Sequence, residues 1–128
     1  MSDASAAVQV AWYNLLSSAL SPTPVFDHVP QDSVALFVTV GDDSANPSTT
    51  KSKNSSEHLL EANVYSSKRG FKETKETLRA IYLAAHKRPL AVSGFEATTP
   101  LFEFSETFRE PDDEGVRGVI RFRTQTQS

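Results

Sequence analysis

The 128-residue chain contains no cysteine. That excludes disulfides, thiol nucleophiles and cysteine-ligated zinc or iron–sulfur centres, and it gives no support for a secreted, disulfide-built fold. Glycine is sparse, with Gly41, Gly70, Gly94, Gly115 and Gly118 the only five. None is spaced as a dinucleotide fingerprint or a phosphate loop, and there is no Gly-x-Ser-x-Gly elbow. No apolar run approaches the roughly 18 residues of a membrane span. The acidic start Met1-Ser2-Asp3-Ala4 lacks the basic opening of a signal peptide. Neither sign of charge dominates: 13 basic and 16 acidic residues give a formal charge of −3, far from the basic footprint of a nucleic-acid binder. The expectation is a soluble, cytoplasmic protein with a single domain over 1–128.

What is present is unevenly placed. Residues 1–64 carry seven acids against two bases, and residues 65–128 carry nine against eleven, a balance of −5 and then +2. Two readings fit: an ordinary solvated surface, or complementary faces that meet between neighbouring subunits.

Apolar spacing sets the elements. Val8, Trp12, Leu15, Leu16 and Ala19 fall on one face of a helix over 3–20, with Ser2 or Asp3 to cap it and Pro22 and Pro24 to stop it. Val25-Phe26-Asp27 reads as a short edge strand. Residues 34–40 read as a strand buried on both faces, by helix on one side and a partner subunit on the other. Residues 42–56 hold almost nothing that can be buried, so a polar, mobile loop is expected there. From 57 to 65 a strand puts Leu60, Ala62 and Val64 on one face and Leu59, Glu61, Asn63 and Tyr65 on the other. A second helix over 69–87 buries Phe71, Thr74, Leu78, Ile81, Tyr82 and Ala85, with Glu73 facing water. Leu90 to Val92 reads as a short strand or a helix extension. Residues 101–109 and 116–124 form a hairpin. Pairing positions that sum to 224 sets Phe102 opposite Phe122, Phe104 opposite Ile120, Phe108 opposite Val116 and Glu103 opposite Arg121. The fold class is therefore α+β, a mainly antiparallel sheet of four to five strands with two helices packed on it.

Few side chains suggest chemistry. His28, His58 and His86 have no ligand spacing, so metal binding has no sequence support. Glu103 and Glu106, three apart on a strand, point to opposite faces and cannot share a substrate. Asp112-Asp113-Glu114 lacks the spacing of a calcium loop and reads as a solvated turn. No catalytic, cofactor-binding or metal-binding residue is assigned. Candidate contact residues are Asp42, Asp43, Lys51 and Lys53 on the polar loop, Lys68 and Arg69 before the second helix, and Arg117, Arg121 and Arg123 on the last strand. The three arginines share a face opposite the phenylalanines. They suit either an interface or an exposed sheet face paired with Glu103.

Four stretches together resemble a known family: Val25-Phe26-Asp27-His28-Val29-Pro30-Gln31; Leu36 to Asp42; Val64-Tyr65-Ser66-Ser67-Lys68-Arg69-Gly70-Phe71-Lys72-Glu73; and Gly118-Val119-Ile120-Arg121-Phe122-Arg123. Their order is similar to that of the tail completion proteins, or tail terminators, of long-tailed non-contractile bacteriophages and gene transfer agents. The resemblance spans roughly residues 4–124; the serine-rich loop at 42–56 departs from the family's pattern. It implies a structural virion protein, not an enzyme, with no cofactor. Such a protein forms a ring, generally a hexamer, at the head-proximal end of the tail tube. It ends tube growth and joins the tube protein to the head connector or a head completion protein. Genome DNA passes through the lumen without being read, and no membrane is involved. The resemblance places the protein in the virion tail or neck, after assembly in the host cytoplasm. Another neck component, such as a head completion protein or tail tube subunit, and an unrelated α+β ligand-binding domain are the alternatives.

Overall fold

A computed structural model describes residues 5–31, 34–40, 44–47, 55–94, 98–111 and 115–127. Helix α1 (Ser5–Leu20) is held by one stripe: Val8, Trp12, Leu16 and Leu20, each four residues after the last, are all buried. Ala19, expected on that stripe, faces solvent, and Leu20 takes its place. The anticipated caps Ser2 and Asp3 lie outside the described residues. Strand β1 (Val25–Phe26) follows and pairs in parallel with β2 (Leu36–Val40), Val25 against Val38.

Strand β2 is buried on both faces from Phe37 to Val40, as its apolar run predicts. The chain itself supplies both covers. Val38 and Val40 face the helices, while Phe37 stacks on Tyr65 at 4.7 Å and meets Phe26 edge-on at 6.0 Å.

Two further strands follow, β3 (Ser44–Pro47) and β4 (Ser55–Ser66), antiparallel to each other with Ala45 opposite His58. The segment read as loop over 42–56 therefore includes strand at 44–47 and 55–56. Asp42, Asp43, Lys51 and Lys53 lie outside the described residues. A polar strand forms here because backbone pairing to β4 does not require apolar side chains. Strand β4 also pairs with β2 through Ala62 to Ser66.

Helix α2 (Lys72–Ala85) buries Thr74, Thr77, Leu78, Ile81 and Ala85. Phe71 precedes the first turn and is half-buried. Glu73 does not simply face water: it accepts from Ser66 Oγ at 2.6 Å and pairs with Lys68 Nζ at 3.3 Å. A carboxylate in the first turn is well placed against the free N–H groups there. At the other end Arg88 Nε donates to Leu83 O at 3.0 Å. Leu90 then forms a lone antiparallel bridge with Thr98.

Strands β5 (Leu101–Arg109) and β6 (Val116–Gln127) make the hairpin. The sheet path is β1-β2-β4-β6-β5, with β1 and β5 at its ends among the described residues and β3 a further short edge on β4. Antiparallel pairing dominates and the α+β expectation holds. Both helices pack on one face, where Leu60, Ala62, Val64, Ile120 and Phe122 meet Val8, Trp12, Leu16 and Ile81. Phe122 is the centre: Trp12 and Phe102 approach it edge-on at 5.5 and 6.0 Å. Such pairs add about 0.5–1.5 kcal/mol each beyond area burial. Trp12 Nε1 donates to Glu61 O at 3.1 Å, tying α1 to β4.

Hairpin register departs from expectation. Leu101–Arg123 and Phe102–Phe122 pair as the sum of 224 requires. A bulge between Phe102 and Phe104 then shifts the rest by one, so Phe104 lies opposite Arg121 and Phe108 opposite Arg117. A bulge inserts one residue and reverses the facing of all that follow. Glu103 is the inserted residue. Only Phe102 of the three phenylalanines packs against the core.

Candidate functional site

The bulge gives the face of the sheet opposite the helices its character. On β6, Arg117, Val119, Arg121 and Arg123 project there, because residues two apart share a face. On one side they are flanked by Tyr65, Asn63, Glu61 and Leu59 of β4. On the other side the shifted half of β5 brings Phe104 and Phe108 to the same face. The arginines therefore do not stand opposite the phenylalanine side; they stand among two of its members.

Each arginine is held differently. Arg117 lies between two rings, 4.9 Å from the Tyr65 centroid and 5.9 Å from that of Phe108. It donates to Asn63 Oδ1 at 3.1 Å, while its buried Nε has no hydrogen-bond partner among the described residues. Arg121 covers Phe104 at 4.9 Å and pairs with Glu61 at 3.2 Å. Arg123 pairs with Glu103 at 2.7 Å and Glu57 at 3.7 Å. Glu103, expected opposite Arg121, is the unpaired bulge residue and reaches Arg123 instead. Guanidinium groups stacked on rings and bonded to acids present flat, partly apolar surface with little loss of side-chain freedom on contact. That composition, arginine with aromatics and few lysines, suits a protein–protein contact.

Lys68 and Arg69 follow the end of β4, at the end of the sheet where Tyr65 pairs with Arg117. Lys68 is engaged with Glu73, and the Arg69 carbonyl accepts from Arg109 Nη1 at 2.8 Å. Arg109 also covers Phe71 at 5.2 Å. The candidate residues of the sequence thus divide into an ordered ladder on β6, a pair at the entry to α2, and four on 42–53 outside the described residues. Phe104, Phe108, Tyr65, Asn63 and Glu61 are the members that sequence reasoning missed. Glu61 and Asn63 alternating with leucine and valine was the available signal.

Chemistry of other kinds has little to work with. Among the described residues, no three histidine, aspartate or glutamate side chains gather as a metal site, and no helix is long and apolar enough to cross a membrane. His28 Nδ1 lies 2.5 Å from Asp27 Oδ1, both exposed. His58 is fully buried with Nε2 3.1 Å from Thr126 Oγ1. Nearby, Thr98 Oγ1 bonds to Thr124 Oγ1 and donates to the Gln125 carbonyl, which fastens Thr98 onto β6. Open clefts beside the helices include one of about 480 Å3 between α2 and β5 and one of about 500 Å3 between α1 and β1.

Comparison with known proteins follows the same direction. The profile of the family described as "Tail completion protein gp17" matches residues 14–127. A chain from the "Virion of native gene transfer agent (GTA) particle" has a similar fold, with TM-score 0.84, 20% identity and 100% of both chains covered. The structure of bacteriophage SPP1 gp17 protein is also similar, with TM-score 0.60, 21% identity, and 98% of this chain and 91% of that one covered. No curated protein sequence matches the chain.

Proposed function

As the chain belongs to the tail completion protein gp17 family of phage and gene-transfer-agent virions, we propose that it is the subunit of a ring that closes the head-proximal end of a tail tube. The ring, a hexamer in this reading, ends tube growth and offers a seat to the head connector or a head completion protein. Genome DNA passes through its lumen without sequence recognition. The work is done by fit between surfaces, with no turnover and no cofactor.

The observation that carries this reading is the family match over nearly the whole chain, joined to a fold similar to that of a virion chain along its full length. The geometry is consistent with it. One sheet face is left uncovered by the helices and carries arginines clamped to rings and acids, the kind of rigid surface that docks at low entropic cost.

Light scattering on the purified chain, followed by electron microscopy of its mixture with tail tubes, tests the reading. Closed rings at one tip of each tube, with tube length fixed, are the expected result. A chain that stays monomeric and ignores tubes overturns it. So does one that polymerises without limit, which would make it a tube subunit.

A further inference from the structure

A ring built from one kind of subunit joins two different patches of that subunit, because a self-matching patch closes a pair and goes no further. Among the described residues, β1 and β5 stand at the two ends of the sheet path, and β3 is a further short edge on β4. Both ends carry surface that water alone does not suit.

At the first edge, α1 has no charged residue along its 16 positions. A solvated helix ordinarily carries charge on its outer face. Here Val10 is 59% exposed and Tyr13 is 36% exposed, and both line the cleft of about 500 Å3 with Phe26 of β1. Asp27 and His28 line that cleft too, and Asp27 is its one carboxylate among the described residues.

The second edge is of the opposite kind. β5 is a nine-residue edge strand with side chains largely exposed on both faces, including Leu101 at 49%. Long exposed edges invite another chain unless they are covered. Beside it the cleft of about 480 Å3 has an apolar floor of Leu78, Phe102 and Ile120, and Lys75 and Arg79 of α2 outnumber Glu106 at its rim.

We infer that the α1–β1 edge of one copy seats in the α2–β5 cleft of the next, head to tail. This assignment rests on the ring reading above and names its contact. The neutral-to-acidic edge meets the basic-rimmed one, so charges complement across the joint. Either edge against itself brings two patches of the same sign together and lacks the opposite charge that the other edge supplies. The occupant of each cleft is therefore a second copy of this chain.

Two exposed substitutions test it, one per edge: Val10→Arg and Ser105→Arg, the latter filling the α2–β5 cleft from β5. Each is made in the full chain, with thermal melting to confirm folding. Gln9→Arg and Thr107→Arg stand in if either melts early. Light scattering should show each variant alone at the mass of one chain. An equal mixture should give a species of two chains and nothing larger, because only one intact joint remains per pair. Wild-type assemblies that persist in either variant overturn the assignment and leave the ring reading standing. A mixture that stays monomeric also overturns it. A wild-type chain that never assembles overturns the ring reading itself.

Discussion

Adding one methyl group at either of two glycines should have unequal consequences. Gly115 closes the β5–β6 hairpin at φ +141°, and a Cβ there would lie 2.1 Å from the Ser66 carbonyl oxygen. That oxygen and the next nearest atoms, Ser66 C and Ser67 Cα, are all backbone. Ser66 ends β4 and pairs with Val116, so its oxygen cannot withdraw without opening that end of the ladder. The unusual φ costs about 1–3 kcal/mol, and the overlap costs about 1–3 kcal/mol more. Restricting the unfolded chain returns about 0.4–1 kcal/mol. The sum for Gly115→Ala is a loss of about 3 kcal/mol. At Gly118 the same methyl meets only side chains, Thr74 Cγ2 at 2.7 Å and Leu78 Cδ1 at 2.9 Å. Thr74 is fully buried and Leu78 borders the α2–β5 cleft; side chains rather than backbone must give, so Gly118→Ala should lose about 1 kcal/mol. Urea unfolding at one protein concentration, followed by fluorescence of Trp12, the only tryptophan, reads both. At a slope of about 1.5–2 kcal/mol per molar urea, the midpoint falls by about 1.5–2 M for Gly115→Ala and about 0.5 M for Gly118→Ala. A Gly115→Ala midpoint within about 0.3 M of wild type, or a larger drop at Gly118, would refute the reasoning.

Phe102→Ala should cost about 3 kcal/mol by thermal or urea unfolding, because the ring packs on Phe122 and Tyr82; Phe104→Ala should cost under about 1 kcal/mol, and equal losses would restore the unbulged register. A double-mutant cycle on Glu61 and Arg121 should return a coupling of about 0.2–1 kcal/mol that shrinks at high salt, as expected of a partly exposed pair. Glu73→Ala removes the acceptor of Ser66 Oγ and a first-turn carboxylate; a loss of about 0.5–2 kcal/mol in chemical unfolding is expected, and no change would mean that the contact is incidental.

Periodicity carried much of the architecture from sequence to fold. Val8, Trp12 and Leu16 at helical spacing, and Leu60, Ala62 and Val64 at strand spacing, leave few alternatives, because either face reversed would wet the core. The bulge was not legible. Phe102, Phe104 and Phe108 are all even-numbered, and the pattern offers no trace of a residue inserted among them. Only pairing to β6 reveals it. Strand β3 was hidden for a different reason: serine, alanine, asparagine and proline have low strand preference, and its partner supplies the order. For the arginine ladder, residue type and shared face were readable in advance. Its ring contacts were not, since they follow from the register shift.

The inserted Glu103 has a consequence for how such a joint could diversify. It lies in the outermost strand, with no further neighbour to keep in step among the described residues. Losing or gaining one amino acid there would trade wet phenylalanines for dry ones while the central strands stay where they are. Descendants of one ancestor could therefore acquire a new mating surface through a single codon insertion or deletion, while the central strands keep their pairing.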